Sequence, residues 1–185
     1  MTQRKMKRTY VELVENHIQN YRQMVFLAGP RQVGKTTVGK SFAKQFSSFY
    51  YFNWDEQEDR QLIIKGPKAV GEIIGFDKMK KRPPLIVFDE IHKNRNWKQF
   101  LKGFFDLYGE ECQIIVTGSA KLNVFKAGGD SLMGRYFLYR VHPLSVGELI
   151  RPTLPQKELH PPKPFLEKKL KDLLKYGGFP EPFLR

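Results

Sequence analysis

The chain is poor in cysteine: its 185 residues include one, Cys112. A single thiol excludes an internal disulfide framework, so packing must hold the fold, and it suits a reducing cytoplasm. Long apolar runs are also missing, and none approaches the ~20 residues of a membrane-crossing helix. The start, MTQRKMKR, is basic, yet the apolar stretch of a secretory leader does not follow it. These absences point to a soluble, cytoplasmic chain with no membrane partner. The histidines, His17, His92, His142 and His160, lack the spacing of metal ligands, and no nucleophile–base pattern of a serine or cysteine hydrolase is present. Acidic residues are scarce, 19 against 32 basic ones, for a net charge of +13. That excess favours a polyanionic partner such as DNA. The basic residues are scattered, however, from Arg4 to Arg8, Lys78 to Arg82 and Lys163 to Lys171, which a solvated surface explains equally well.

Apolar periodicity supplies the elements. Residues 10–21 are apolar at helical spacing. Met24–Ala28 reads as a buried strand, Val38, Phe42 and Phe46 place a helix starting near Gly34, and Phe49–Asn53 is a second strand. Short helices are expected over Gln57–Ile64 and Pro67–Ile74, broken at Gly66. The run Leu85–Phe88, ending in Asp89-Glu90, suits a strand covered on both faces. Trp97–Tyr108 carries a wide apolar stripe, with Asn96 placed to cap it. Gln113–Thr117 and Tyr136–Val141 are further strands, and residues 120–134 read as short helix and loop. The proline-rich stretch 152–164 reads as a linker, followed by a helix over Lys163–Tyr176 stopped by Gly177. Alternating strands and helices indicate an α/β fold with a parallel sheet, whose ligands bind at the carboxyl ends of the strands. The expected division is a core over residues 1–151, the linker 152–164, and the start of a further domain over 165–185.

Several residues gather at those strand ends. The loop Gly29-Pro30-Arg31-Gln32-Val33-Gly34-Lys35-Thr36-Thr37 fits the strand–loop–helix phosphate motif at every fixed position. Its glycines let successive N–H groups turn inward, the helix N-terminus adds partial positive charge, Lys35 reaches the β- and γ-phosphates, and Thr36 can bind Mg²⁺. Asp89 closes a buried strand, where a carboxylate can hold the same ion, and Glu90 is placed to orient or deprotonate a water. Thr117 and Ser119 either touch the γ-phosphate or the water, or act as capping residues. Asn53 either restrains Glu90 or is an ordinary turn residue. Arg135 either reaches a neighbouring subunit's γ-phosphate or makes a surface ion pair, with Arg140 a weaker candidate.

GPRQVGKTT, YFNWDE, LIVFDEIHK, IIVTGSAKL, SLMGRYFLYRVHPLSVGEL and GGFPE together resemble the AAA+ ATP-binding proteins of bacteria and archaea, over roughly Lys7 to Pro182. The resemblance implies a three-layer P-loop fold with a five-stranded parallel sheet in the order 5-1-4-3-2. It implies Lys35 and Thr36 as the Walker A pair and Asp89 and Glu90 as the Walker B pair. Thr117 or Ser119 becomes the sensor, Asn53 the switch on the glutamate, and Arg135 the arginine finger, in a homo-oligomer. Such proteins usually continue well past GGFPE, so a C-terminal part is expected beyond Arg185. The leading expectation is Mg²⁺-dependent ATP hydrolysis coupled to conformational change. The alternatives are a nucleotide-gated DNA-binding module with little hydrolysis, and a small-molecule kinase, which would need a deep acceptor site.

Overall fold

In the computed structural model, residues 6, 8–76, 82–119, 122, 132–154, 161, 164 and 167–184 are described. Five parallel strands form one sheet, β1 (Met24–Ala28), β2 (Phe49–Asn53), β3 (Leu85–Asp89), β4 (Gln113–Gly118) and β5 (Tyr136–Arg140), in the spatial order β2-β3-β4-β1-β5. This is the order 5-1-4-3-2 that the family resemblance implied.

The apolar runs of the inner strands make sense once their side chains are sorted by face, because successive residues of a strand point to opposite sides. Met24, Phe26, Ile86, Phe88, Ile114 and Val116 enter one core, under α3 (Gln57–Lys65), α4 (Pro67–Ile74) and α5 (Trp97–Tyr108). Val25, Leu27, Leu85, Val87 and Ile115 enter the other, under α1 (Thr9–Asn20) and α2 (Lys35–Ser41). The result is a three-layer α/β/α arrangement whose three inner strands, β1, β3 and β4, are covered on both faces. Phe88 anchors the first core, its ring meeting Phe100 and Phe104 edge-on at centroid separations of 5.4 and 5.2 Å. On the other face α2 lies close to the sheet: a Cβ at Gly39 would sit 3.2 Å from a Val87 methyl.

Most element bounds agree with the periodicity to within a residue or two, but α2 ends at Ser41, short of the expected Phe46, the helices Val146–Ile150 and Pro180–Leu184 lie outside the expected elements, and one cap differs. Asn96 occupies the position before α5, but its side chain makes no capping bond; its own N–H is instead accepted by Asn94 Oδ1 at 3.0 Å. With φ −101° and ψ 20°, Asn96 lies outside the extended region from which a capping side chain folds back. Most of the expected helix and loop over 120–134 and of the linker 152–164 falls outside the described residues. The last helices are α6 (Val146–Ile150), α7 (Glu167–Tyr176) and α8 (Pro180–Leu184). Gly177, at φ 75°, ends α7, its N–H bonded to Leu173 O at 2.9 Å. Gly178 O then accepts the Leu144 N–H at 2.6 Å, an approach so close that a Cβ added at Gly178 would lie 2.5 Å from Leu144 O.

Candidate functional site

The loop from Gly29 to Gly34 leaves the carboxyl end of β1 and enters α2. Two residues turn it with left-handed backbone, Gln32 at φ 61° and Gly34 at φ 93°. Gly34 tolerates this because it lacks a Cβ. Gly29 is required for a different reason: a Cβ there would overlap the Val141 carbonyl oxygen beside the end of β5. Val33 is buried in the α1/α2 core and pins the middle of the loop, whereas Pro30, Arg31, Gln32 and Thr37 are exposed. Lys35 opens α2 and is 6% exposed; its ammonium donates to Gly29 O at 3.0 Å and Pro30 O at 2.5 Å, within its own loop. Burial lowers the Lys35 pKa; the carboxylates of Glu90 and Asp89 partly restore it, and Arg31 lowers it further.

Asp89 ends β3 between Asn53 on β2 and Thr117 on β4, its neighbours in register. It is 4% exposed and is satisfied by three hydroxyls. Thr36 Oγ1 donates to Oδ2 at 2.8 Å, Tyr51 OH to the same oxygen at 2.6 Å, and Thr117 Oγ1 to Oδ1. Sequence reasoning brought Thr36 and Asp89 together correctly in space but missed Tyr51. The available signal was the strand period: Tyr51 lies two residues before Asn53 and so shares its face. Burial, and next its bond to Asp89, hold the Tyr51 phenol well above its usual pKa. Lys40 Nζ lies 3.8 Å from the centre of the same ring. Thr117 is fully buried and turned toward Asp89.

Glu90 has a left-handed backbone, φ 55°, and its N–H donates to Thr117 O at 3.0 Å. It opens the 3₁₀ turn Ile91–Lys93. The turn brings Lys93 Nζ to 3.3 Å and His92 Nε2 to 3.8 Å from Glu90 Oε2. Lys93 also reaches both oxygens of Asp55, at 2.7 and 2.6 Å; these bonds are the main cause that raises its pKa, burial opposes them, and Glu90 adds a further rise. Asn53 sits at the expected strand end, but its Oδ1 accepts the Asp55 N–H at 3.2 Å and its own N–H goes to Asp59 at 2.7 Å. Asn53 thus takes part in the turn through its side-chain oxygen, and the Glu90 carboxylate faces Lys93 and His92. Ser119 lies beside the carboxylates through His92, Oγ to Nε2 at 2.9 Å.

The arginines divide. Arg135 immediately precedes β5 and its carbonyl accepts the N–H of Met24, the first residue of β1. It therefore stands at the amino edge of the sheet, about one strand length (~15 Å) from the loop. There its guanidinium pairs with Asp106, Nε to Oδ1 at 2.7 Å. Arg140 ends β5 in register with Ala28, at the loop's edge of the sheet.

Arg8, read from sequence only as part of a basic start, is buried at 6% exposure. Its guanidinium donates to Val33 O at 2.6 Å, His142 O at 2.7 Å and Glu148 Oε1 at 2.7 Å. It thus fastens the glycine loop to the chain leading into α6. Glu148 had a sequence signal in Ser145-Val146-Gly147-Glu148, a capping-box pattern. Ser145 Oγ does cap the Glu148 N–H at 3.1 Å, but the Glu148 carboxylate serves Arg8 and the Thr9 N–H instead.

A cleft of about 260 Å³ opens elsewhere, at the amino edge of the sheet, between Ile18, Tyr21, Arg22, Pro83, Glu110 and Cys112. Its charges, Arg22 and Glu110, form an exposed ion pair, and Cys112 donates to Tyr108 O, so it holds no chemistry comparable to that at the carboxyl edge. Among the described residues no helix is long and apolar enough to cross a membrane.

The AAA domain family model matches the chain over residues 21–150. No curated protein matches it. Among solved structures, the chain is similar to AMPPCP-bound DnaA from Aquifex aeolicus at 19% identity and a TM-score of 0.56, covering 93% of this chain and 57% of that one. It is also similar to PCH-2 from C. elegans at 17% identity and a TM-score of 0.48, covering 90% of this chain and 45% of that one. At such identities the likeness speaks for the fold alone. The chain spans little more than half the length of DnaA and less than half that of PCH-2.

Proposed function

The chain belongs to the AAA domain family of nucleotide-binding ATPases, and from that premise we propose that it binds magnesium–ATP at the loop Gly29–Thr37 and hydrolyses it. One observation carries the reading. Left-handed Gly34 delivers Lys35 and Thr36 to the end of β3, where Thr36 Oγ1 lies 2.8 Å from Asp89 and Glu90 follows directly. The Thr36 hydroxyl and the Asp89 carboxylate are hard oxygen donors, the set that suits magnesium. When bound, that ion would neutralise phosphate charge. Lys35 would exchange the carbonyls of Gly29 and Pro30 for phosphate oxygens, an exchange favoured because those carbonyls carry only partial charge. The Glu90 carboxylate takes a proton from water as the water oxygen bonds to the γ-phosphorus and ADP departs. Tyr51 and Thr117 hold Asp89 in orientation.

Conformational coupling has a physical route. Arg8 ties Val33 of the loop to Glu148 of α6, so a change in loop shape reaches the elements around α6. At the amino edge of the sheet, Arg135 pairs with Asp106 and is too distant for its own loop, so an arginine-finger role would require a second copy of the chain. Calorimetry and ATP turnover on wild type, Lys35→Ala and Glu90→Gln test the reading. Lys35→Ala is expected to lose nucleotide affinity. Glu90→Gln is expected to bind but to lose about a hundredfold or more in kcat, the scale of a missing general base. Turnover by both variants at the wild-type rate would overturn the assignment.

A further inference from the structure

Glu90, placed as the proton acceptor, is engaged by a side chain that sequence reasoning did not select. Lys93 Nζ stands 3.3 Å from Glu90 Oε2 while making its two shorter bonds to Asp55, at 2.6 and 2.7 Å. Two carboxylates thus compete for one ammonium, and Asp55 holds the larger share. The backbone of Glu90 is set by its left-handed conformation and its bond to Thr117 O, so its position is adjustable chiefly through side-chain torsions. Asn53, whose amide was expected to act on it, accepts the Asp55 N–H in the turn through its Oδ1. That same turn presents Asp55 to Lys93.

We propose that Lys93 is a positioning residue that restrains Glu90, and that Asp55 sets how firmly it does so. The proposal rests on the hydrolytic reading above. An ammonium on Glu90 competes with the proton of the attacking water for the same lone pairs. Asp55 weakens that competition by drawing Lys93 aside. The group opens on solvent, with side-chain exposures of 33% for Lys93, 54% for Asp55 and 22% for Glu90, so the restraint is small and reversible.

The two substitutions therefore act in opposite directions. Lys93→Met releases Glu90 and raises kcat about two- to fivefold, the scale of a partly exposed ion pair. Asp55→Asn gives Lys93 wholly to Glu90 and lowers kcat by a similar factor. The double variant follows Lys93→Met, because Asp55 acts only through Lys93. KM stays within about twofold of wild type in all three. Merely structural damage would lower kcat in both single variants together. The experiment is steady-state turnover at saturating magnesium–ATP, with affinity measured in parallel by calorimetry. If both single variants shift kcat in the same direction, if neither shifts it, or if Lys93→Met binds magnesium–ATP without turning it over, the proposal is overturned. If wild type fails to bind magnesium–ATP, the nucleotide-site reading itself has failed and takes this one with it; calorimetry tells that case from the others.

Discussion

Removing the Arg8 guanidinium is expected to unsettle the molecule far from its N-terminus. Arg8 and Glu148 are almost fully buried, with side-chain exposures of 7% and 8%, so solvent screens their 2.7 Å contact little. Arg8→Met keeps the apolar stem but leaves three acceptors without their donor: the Glu148 carboxylate and the carbonyls of Val33 and His142. Breaking a buried pair from one side costs about 3–5 kcal/mol, mostly from the charge left behind. Glu148 keeps the Thr9 N–H at 3.0 Å, which places the expected loss near the lower end, ~3 kcal/mol. That is a large fraction of the ~5–15 kcal/mol that holds a typical domain together. Glu148→Gln alone is expected to cost about 2 kcal/mol. The double variant should cost clearly less than the sum, because the second change removes the charge that the first one stranded. Arg8→Lys restores charge but not the planar fork that serves three divergent acceptors, and falls between. The assay is urea unfolding of wild type and the four variants, comparing midpoints at constant slope. A loss under about 1 kcal/mol for Arg8→Met, or strict additivity in the double variant, would refute the reasoning.

Two further outcomes follow from the structure. His17 is buried as the neutral tautomer, with Nε2–H donating to Gln23 O at 2.7 Å and Nδ1 accepting from Tyr139 OH at 2.8 Å. Burial lowers its pKa below 6.5, against a smaller upward pull from the Gln23 carbonyl. Below pH 6.5 the unfolded chain takes up the proton first, so stability falls as the pH drops from 6.5 towards the folded pKa and then levels off. The thermal midpoint of wild type should thus decline more steeply than that of His17→Asn between pH 7 and about pH 5, and parallel slopes would contradict this assignment. Gly29→Ala drives a methyl into the Val141 carbonyl and should cost about 1–3 kcal/mol by overpacking. Gly147→Ala, whose added Cβ lies 3.7 Å from Ser145 Oγ, should be neutral or mildly stabilising. Equal thermal midpoints for the two alanine variants would show that the glycine loop is not seated against β5.

The motif Gly29–Thr37 was legible because its requirements are local: a glycine where the backbone is left-handed, then a lysine and a hydroxyl at the first turn of a helix. The run Leu85–Asp89 was legible because a strand covered on both faces must be apolar throughout. Asn53 was located correctly at a strand end, yet its bonding was not legible. Whether an amide turns towards Glu90 or closes a turn depends on Asp55 and Lys93, thirty-eight residues apart in sequence and 2.6 Å apart in space. Arg135 illustrates the same limit. The sequence left it open between an arginine finger and a surface ion pair, and only the parallel pairing of β5 with β1 put it at the edge opposite the loop, beside Asp106.

The sequence by itself determined the strand–loop–helix that can cradle phosphate, the carboxylate pair that closes a buried strand, and an α/β sheet with inner strands covered on both faces. Each follows from backbone geometry or from side-chain period, which act over a few residues. Tertiary structure alone decided that Asp89 collects hydroxyls from three separate elements, that Glu90 answers to Lys93, and that Arg8 fastens the loop to Glu148, 140 residues away in the chain. Those choices are made by the order in which strands cross over and helices dock. Burial then obliges every enclosed charge to take the partner that packing has brought beside it.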